Sequence, residues 1–442
     1  MRLTVFQADK GDCLLLTGAD GTRILSDGGM RASYSTHVAP ALARLRESQE
    51  KKNGKEFKLD LVYVSHIDQD HISGVLQLMD DLVEWRVHDF QVKSGNSTHP
   101  VPGNLRPPTA RGIWHNAFHE QVGGNAGAIE EMLAATAAVL EAGSAPKQRV
   151  EAAEHRELAT SVSEALQLAR RVGPEQLGIP VNEPFDGRLA LVRDDQASIE
   201  LGALTITVIG PFEKELIDLR RDWNTWLRAN QQELQRIRRR ARADVDQLGT
   251  GEVERFREAI ALQAHELGDR SRVTVPNLAS LMLLVDEGKR TILLGGDGHG
   301  NDILRGLAHA GRLDERVGIH VDVLKVQHHG SENNLNADFC KRVTADHYVF
   351  CANGEHENPD LRVIDAIVDS RLGRARQLSR NPKASRPFKL WFNSGSAAST
   401  DPRGKRHMKK VERLVAARTR RSEGRMSSFF LEDRSSFDLA LK

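Results

Sequence analysis

Residues 66 to 71 read His-Ile-Asp-Gln-Asp-His, and no other stretch restricts the folding of this chain so much. Two imidazoles and two carboxylates within six residues are costly to bury unless a cation or a set of donors satisfies them. The apolar run LDLVYV at 59 to 64 leads into the cluster, and helical spacing follows over 72 to 82. The cluster therefore belongs in a loop between a strand and a helix, where reactive groups are commonly carried. His66 and Asp68 alternate and can face one centre, while the adjacent Asp70 and His71 reach a second. This ligand density suits Zn²⁺, Mn²⁺ or Fe²⁺. The competing reading is a polar surface turn.

Companion segments favour the metal. Ile24-Leu25-Ser26-Asp27-Gly28-Gly29 and Leu294-Gly295-Gly296-Asp297-Gly298-His299 each put an acid at a strand end. Leu324-Lys325-Val326-Gln327-His328-His329-Gly330-Ser331 puts two histidines after an apolar strand, with Lys325 read as a strand-end charge. Taken alone, Asp27 is a turn former and His299 an exposed helix N-terminal residue.

The periodicity predicts a β-meander over 2 to 7, 12 to 17 and 22 to 26, and a helix over 37 to 51. Later it predicts strands at 279 to 286, 290 to 295, 319 to 326 and 347 to 352, with helices at 300 to 310 and 360 to 371. Two such halves suggest two sheets packed face to face with helices outside. Helical periodicity marks two insertions, 120–175 and 213–272. The hairpin at 214–267 is a candidate surface for a partner protein or a second copy.

These segments together resemble the metallo-β-lactamase superfamily, and more closely the branch containing the hydrolase domain of the DNA-uptake competence protein ComEC. The residues that carry the resemblance are GDCLLL, DGG, HxDxDHxxG, GGD and KxxHHGS. It covers about residues 1 to 118, 189 to 212 and 277 to 370. It implies one domain over 1–442 with a four-layer αββα sandwich, and hydrolysis by a metal-bound hydroxide. By the same resemblance Asp70, His71 and one of His328 and His329 hold one metal, His66 and Asp68 help hold another, and Asp297 bridges them. Asp27 supports a ligand imidazole or orients the loop.

The sequence departs from the superfamily in two ways. Asp68 stands where histidine is usual, and LTITVIG ends in Pro211 where a further histidine is common. A carboxylate in place of imidazole hardens the site, so the two ions are read as Zn²⁺ or Mn²⁺ with Mg²⁺ a rival. His115 and, less so, His119 are candidate replacement ligands, or else ordinary loop histidines. Asn277 and Ser280 match a polar, substrate-binding position of the competence branch. His356 sits in a loop where related hydrolases place a histidine that donates to substrate, though a structural histidine reads equally well.

Residues 371–425 hold 17 Lys and Arg against 3 Asp and Glu, a net +14 that leaves −13 on the rest of a chain whose total is +1. Lys405, Arg406, Lys409 and Lys410 lie in an Arg-rich helix over 403 to 421. This face is either a phosphate-binding surface or a solvated one. With the motifs it makes phosphodiester hydrolysis, of nucleic acid or a nucleotide, the leading expectation. The alternatives are hydrolysis of a small ester, lactone or amide, and a binding module of the same fold. No GxxxxGK[ST] or GxGxxG stretch supports nucleotide-driven or hydride chemistry. The three distant cysteines predict buried free thiols. No run of 18 apolar residues and no signal-like N-terminus occur, so the expectation is a cytosolic chain with no membrane span.

Overall fold

The computed structural model describes residues 1–54, 56–116, 164–165, 167–194, 197–213 and 280–441. Residues 120–163 and 166 of the first expected insertion and all but residue 213 of the second, together with Asn277 and His119, lie outside the described residues.

Short apolar runs between turns build the first sheet. Strands β1 (Arg2–Phe6), β2 (Leu14–Thr17) and β3 (Arg23–Ser26) form the expected antiparallel meander. Helix α1 (Ala39–Asn53) crosses over, β4 (Lys58–Leu59) forms a small side pair, and β5 (Leu61–Tyr63) returns parallel to β3. Helix α2 (Gln69–Lys93) begins directly after the acidic and histidine cluster and runs eleven residues past the expected end. After it β6 (Thr109–Ala110) pairs with β4, and β7 (Ile113–Trp114) pairs parallel to β5.

The second sheet starts with β8 (Ile199–Leu201), β9 (Leu204–Gly210), β10 (Met282–Glu287) and β11 (Arg290–Leu294), all antiparallel. Helix α3 (Gly300–His309), β12 (Ile319–Lys325), α4 (Ala337–Arg342), β13 (Val343–Phe350), α5 (Leu361–Leu372) and β14 (Phe388–Phe392) follow. Helix α6 (Pro402–Arg421) then leads to β15 (Met426–Phe430), and β11 to β15 are all parallel. Phe350, Phe392 and Phe430 stack across the last three strands, with ring centroids 4.8 and 4.3 Å apart. Such pairs contribute about 0.5–1.5 kcal/mol each beyond burial. The last strand, β16 (Ser436–Ala440), pairs with β1, so the chain's two ends share one sheet. The six-stranded sheet has the order β16-β1-β2-β3-β5-β7 and the eight-stranded sheet β15-β14-β13-β12-β11-β10-β9-β8.

Alternation along the strands separates three cores. One gathers Leu3, Leu16, Ile24 and Tyr63 of the first sheet with Leu283, Ile292, Val323 and Val349 of the second. A second sets the other face of the first sheet against α1 and α2, and the third sets the other face of the second sheet against α3 to α6. The basic stretch 371–425 is therefore part of the second sheet's packing. Arg371 itself is buried, donating to the carbonyls of Ala384, Arg386 and Ala345. Strands β14, β15 and β16 were not expected from the sequence. Among the described residues no helix is long and apolar enough to cross a membrane. Cys13, Cys340 and Cys351 are buried free thiols, as expected.

Candidate metal centre

Strand ends from both sheets deliver the site. The chain leaves β5 through Ser65 and His66, Asp68 adopts extended backbone at the start of α2, and Asp70 and His71 fall in that helix's first turn. A carboxylate there is also favoured by the helix dipole. The terminal glycine of HxDxDHxxG has a packing reason. A Cβ on Gly74 would stand 2.0 Å from the carbonyl oxygen of Gly28, so both glycines are needed for α2 to lie against the Asp27-Gly28-Gly29 turn. Gly28 N donates to His71 O and Gly74 N to Gly29 O, both at 2.9 Å. From the second sheet, Asp297 follows β11 and the pair His328 and His329 follows β12, each histidine with positive φ.

Four imidazoles converge on one carboxylate. The Nε2 atoms of His66, His328 and His329 lie 3.6, 3.8 and 3.6 Å from Asp297 Oδ2, and His71 Nε2 lies 3.5 Å from Oδ1. Asp70 Oδ2 is 3.0 Å from His329 Nε2, and Asp68 Oδ2 is 3.5 Å from His66 Nε2. Both histidines of the 328–329 pair therefore face Asp297, and His329 is the one that meets Asp70. Asp68 and His328 are about a quarter exposed while the other ligand-type side chains are buried, so the cluster opens to solvent at those two.

The opposite ring nitrogens all meet acceptors. Asp27 accepts from Ser65 N at 2.8 Å and from Ser65 Oγ at 2.9 Å, and lies 3.1 Å from His71 Nδ1. With its one hydrogen given to Asp27, the Ser65 hydroxyl accepts from His66 Nδ1 at 3.0 Å. His328 Nδ1 donates to Asn334 Oδ1 and His329 Nδ1 to the Cys351 carbonyl at 2.7 Å. With Nδ1 carrying the proton in each neutral ring, all four Nε2 lone pairs point at the Asp297 side, as metal-binding histidines require.

The electrostatics call for positive charge. Burial alone would raise the Asp297 carboxyl, but His71, His329, His328 and His66 hold it well below the usual range. Asp70 behaves likewise through His71 and His329. Burial would depress His329, yet Asp297 and the nearby carboxylates of Asp12 and Asp70 push it up to about 10. The Nε2 atoms of His66 and His71 and Oδ1 of Asp297 are buried without a hydrogen-bond partner. A divalent ion would satisfy all three, and His66, His71 and Asp297 form a buried group whose spacing could hold one.

Other expected residues stand apart. His115 is buried just beyond β7, its backbone N–H donating to and its carbonyl accepting from the side chain of Asn182, and it belongs to neither metal-capable group. Ser280 is buried near Gly296 and Ser65. The His356 ring is two-thirds exposed, 3.8 Å from Glu355, and makes no described contact with the cluster. Lys405, Arg406, Lys409 and Lys410 are exposed on α6, whose buried face carries His407, Met408 and Val411. That helix packs on the loop 353–359, where His407 Nε2 donates to Pro359 O at 3.0 Å; Asp360 N in turn donates to Gly330 O at 3.0 Å, beside His329.

Sequence reasoning missed Asp12, and with it the burial and pairing of Lys325. Lys325 does close β12, as read, but it is more than a strand-end charge: it is buried and paired with Asp12, which is buried as well. A lysine following the buried run Val323-Leu324 at the end of a central strand was the signal. The chain matches no family model, and no curated protein matches it.

Proposed function

We propose that the chain is a divalent-metal-dependent hydrolase of the metallo-β-lactamase fold, an αββα sandwich, that cleaves phosphodiesters in nucleic acid or nucleotides. The convergence of four imidazole Nε2 atoms on Asp297, with Asp68 and Asp70 beside them, is the observation that carries this reading. With two ions, His71, His329 and Asp70 would hold one and His66, His328 and Asp68 the other, with Asp297 between them; a single ion would sit among His66, His71 and Asp297. Such ions lower the pKa of water and neutralise charge developing on a phosphoryl oxygen.

The protein's own groups supply the rest. Ser65, Asp27, Asn334 and the Cys351 carbonyl hold each imidazole with its Nε2 face turned inward. Asp297, kept ionised by the surrounding imidazoles, offsets repulsion between two nearby cations. Asp68 and His328, the two partly exposed members, leave the cluster open to an incoming substrate. The exposed basic face of α6, one loop away from His329, supports a polyanionic substrate.

The test is a screen of purified protein with Mn²⁺, Zn²⁺ and Mg²⁺ against single- and double-stranded DNA, RNA, bis-p-nitrophenyl phosphate and a lactone panel. Turnover confined to phosphodiesters is expected. Turnover confined to lactones would replace the substrate assignment, and metal binding with no turnover on any substrate would favour a binding module.

A further inference from the structure

Behind the four imidazoles lies a second group with ligand-like spacing, Asp12, His71 and His329, all buried. It takes the Nδ1 side of the rings: Asp12 Oδ2 is 3.8 Å from His71 Nδ1, and Asp12 Oδ1 is 3.5 Å from His329 Nδ1. Lys325 Nζ contacts Asp12 Oδ2 directly, donates to Gly296 O at 3.3 Å and lies 3.8 Å from Asp297 Oδ1.

We propose that Lys325 is the resident cation of this second group, and that the Asp12–Lys325 pair is a positioning device that sets the metal affinity of the centre from behind. The inference rests on the metal reading above. Three observations carry it.

First, both members are about 1% exposed, so neither charge is relieved by water and the pair persists as a unit. Second, the pair joins the two sheets beneath the site. Asp12 precedes β2 and its N–H donates to Asp70 O at 3.2 Å, while Lys325 ends β12, three residues before His328. A Cβ on Gly11 would stand 1.8 Å from Asp70 O, so the Gly11-Asp12 segment lies directly on the turn that carries Asp70 and His71.

Third, the tethered ammonium supplies positive charge next to Asp12 without demanding ligand lone pairs. The Nδ1 atoms stay free to donate to Asp27 and Cys351 O, and the Nε2 atoms remain available on the other side. A mobile ion at Asp12 would compete for those nitrogens. Lys325 thus separates a structural cation position from the position where an exchangeable metal is bound.

The test compares wild type with Asp12→Asn/Lys325→Met, which removes both charges together and leaves no unpaired charge. Removal of an entire buried pair is often close to neutral for stability, whereas removal of one partner is costly. The melting temperature of the metal-free double variant should therefore stay near that of wild type, with Lys325→Met alone melting lower. Zn²⁺ and Mn²⁺ dissociation constants, measured by competition with a chromogenic chelator, should rise about 10–100-fold in the folded double variant. If the Met-bearing pair does not fold, Asp12→Asn/Lys325→Gln, which keeps a hydrogen bond between the two side chains, is measured in the same way.

Wild-type affinity in a folded double variant would overturn the positioning role while leaving the metal centre intact. A wild-type protein that binds neither ion would overturn the metal reading and this inference with it.

Discussion

At the residue scale, each imidazole of the cluster has one nitrogen committed to an acceptor and one facing Asp297, so single ligands should be separable from the fold. Asp70→Ala and His71→Ala are expected to lower metal content and to reduce phosphodiester turnover by at least two orders of magnitude, with circular dichroism unchanged. Unchanged turnover in both variants would remove them from the site. Asp68→His should move metal preference toward Zn²⁺ over Mn²⁺, because nitrogen ligands suit the softer ion. Competition between the two ions on wild type and variant measures that shift, and an unaltered preference would show that Asp68 does not bind the metal.

The protonation of the metal-free cluster gives a further residue-scale prediction. The His329 pKa is raised from 6.5 to about 10, so its contribution to folding is complete below 6.5 and is lost as pH climbs through about 10. Asp70 is shifted the other way: its contribution is present above the ordinary carboxylate value of 3.8 and is lost only as pH falls toward its depressed folded value. Chelator-treated protein should accordingly melt at progressively lower temperature between pH 6.5 and 10. Metal added at pH 7 must displace protons from His329 and His71, so binding enthalpy should vary with the buffer's ionisation enthalpy. Buffer-independent enthalpy together with a flat melting profile would contradict this protonation pattern.

At the scale of elements, the contact between α2 and the Asp27-Gly28-Gly29 turn leaves no room for a side chain. Gly74→Ala should cost about 1–3 kcal/mol through overpacking and backbone shift, read from denaturant midpoints. It should also weaken metal binding, because the same helix turn presents Asp70 and His71; a neutral effect on both would mean that the turn is not held by this contact. On α6, reversing Lys405, Arg406, Lys409 and Lys410 to Glu should weaken polynucleotide binding. It should also flatten the salt dependence by about 0.7–0.9 in log–log slope per lost phosphate contact. Cleavage of bis-p-nitrophenyl phosphate should persist. Equal losses on both substrates would instead indicate structural damage, and no loss on either a solvated face.

Legibility in the sequence followed how local each interaction is. His66, Asp68, Asp70 and His71 were readable because four ligand types crowd into six residues, and Asp297 and the His328–His329 pair because each ends an apolar strand. Asp12 was not, because an acid beside glycine also reads as a turn former, and the lysine that gives it meaning is more than three hundred residues away. Strand β16 shows short alternation in SFDLA, but its pairing with β1 is a contact between chain ends that no local pattern encodes. His356 was legible by its loop position as either a substrate-donating or a structural histidine; its ring is two-thirds exposed and makes no described contact with the cluster.

At the scale of the whole molecule, the candidate ligands come from both sheets: His66, Asp68, Asp70 and His71 from the first, and Asp297, His328 and His329 from the second. A bound ion therefore ties the sheets together, and metal at 100 times its dissociation constant should stabilise the fold by about 2.7 kcal/mol. The central claim is that Asp297 organises a metal centre, and elemental analysis tests it most directly. Wild type and Asp297→Ala are each reconstituted with Zn²⁺ or Mn²⁺, freed of excess ion and analysed. Two ions per wild-type chain, falling to one or none in the folded variant, is the predicted result; a wild type that retains no ion, or a variant that retains as many as wild type, would contradict the account.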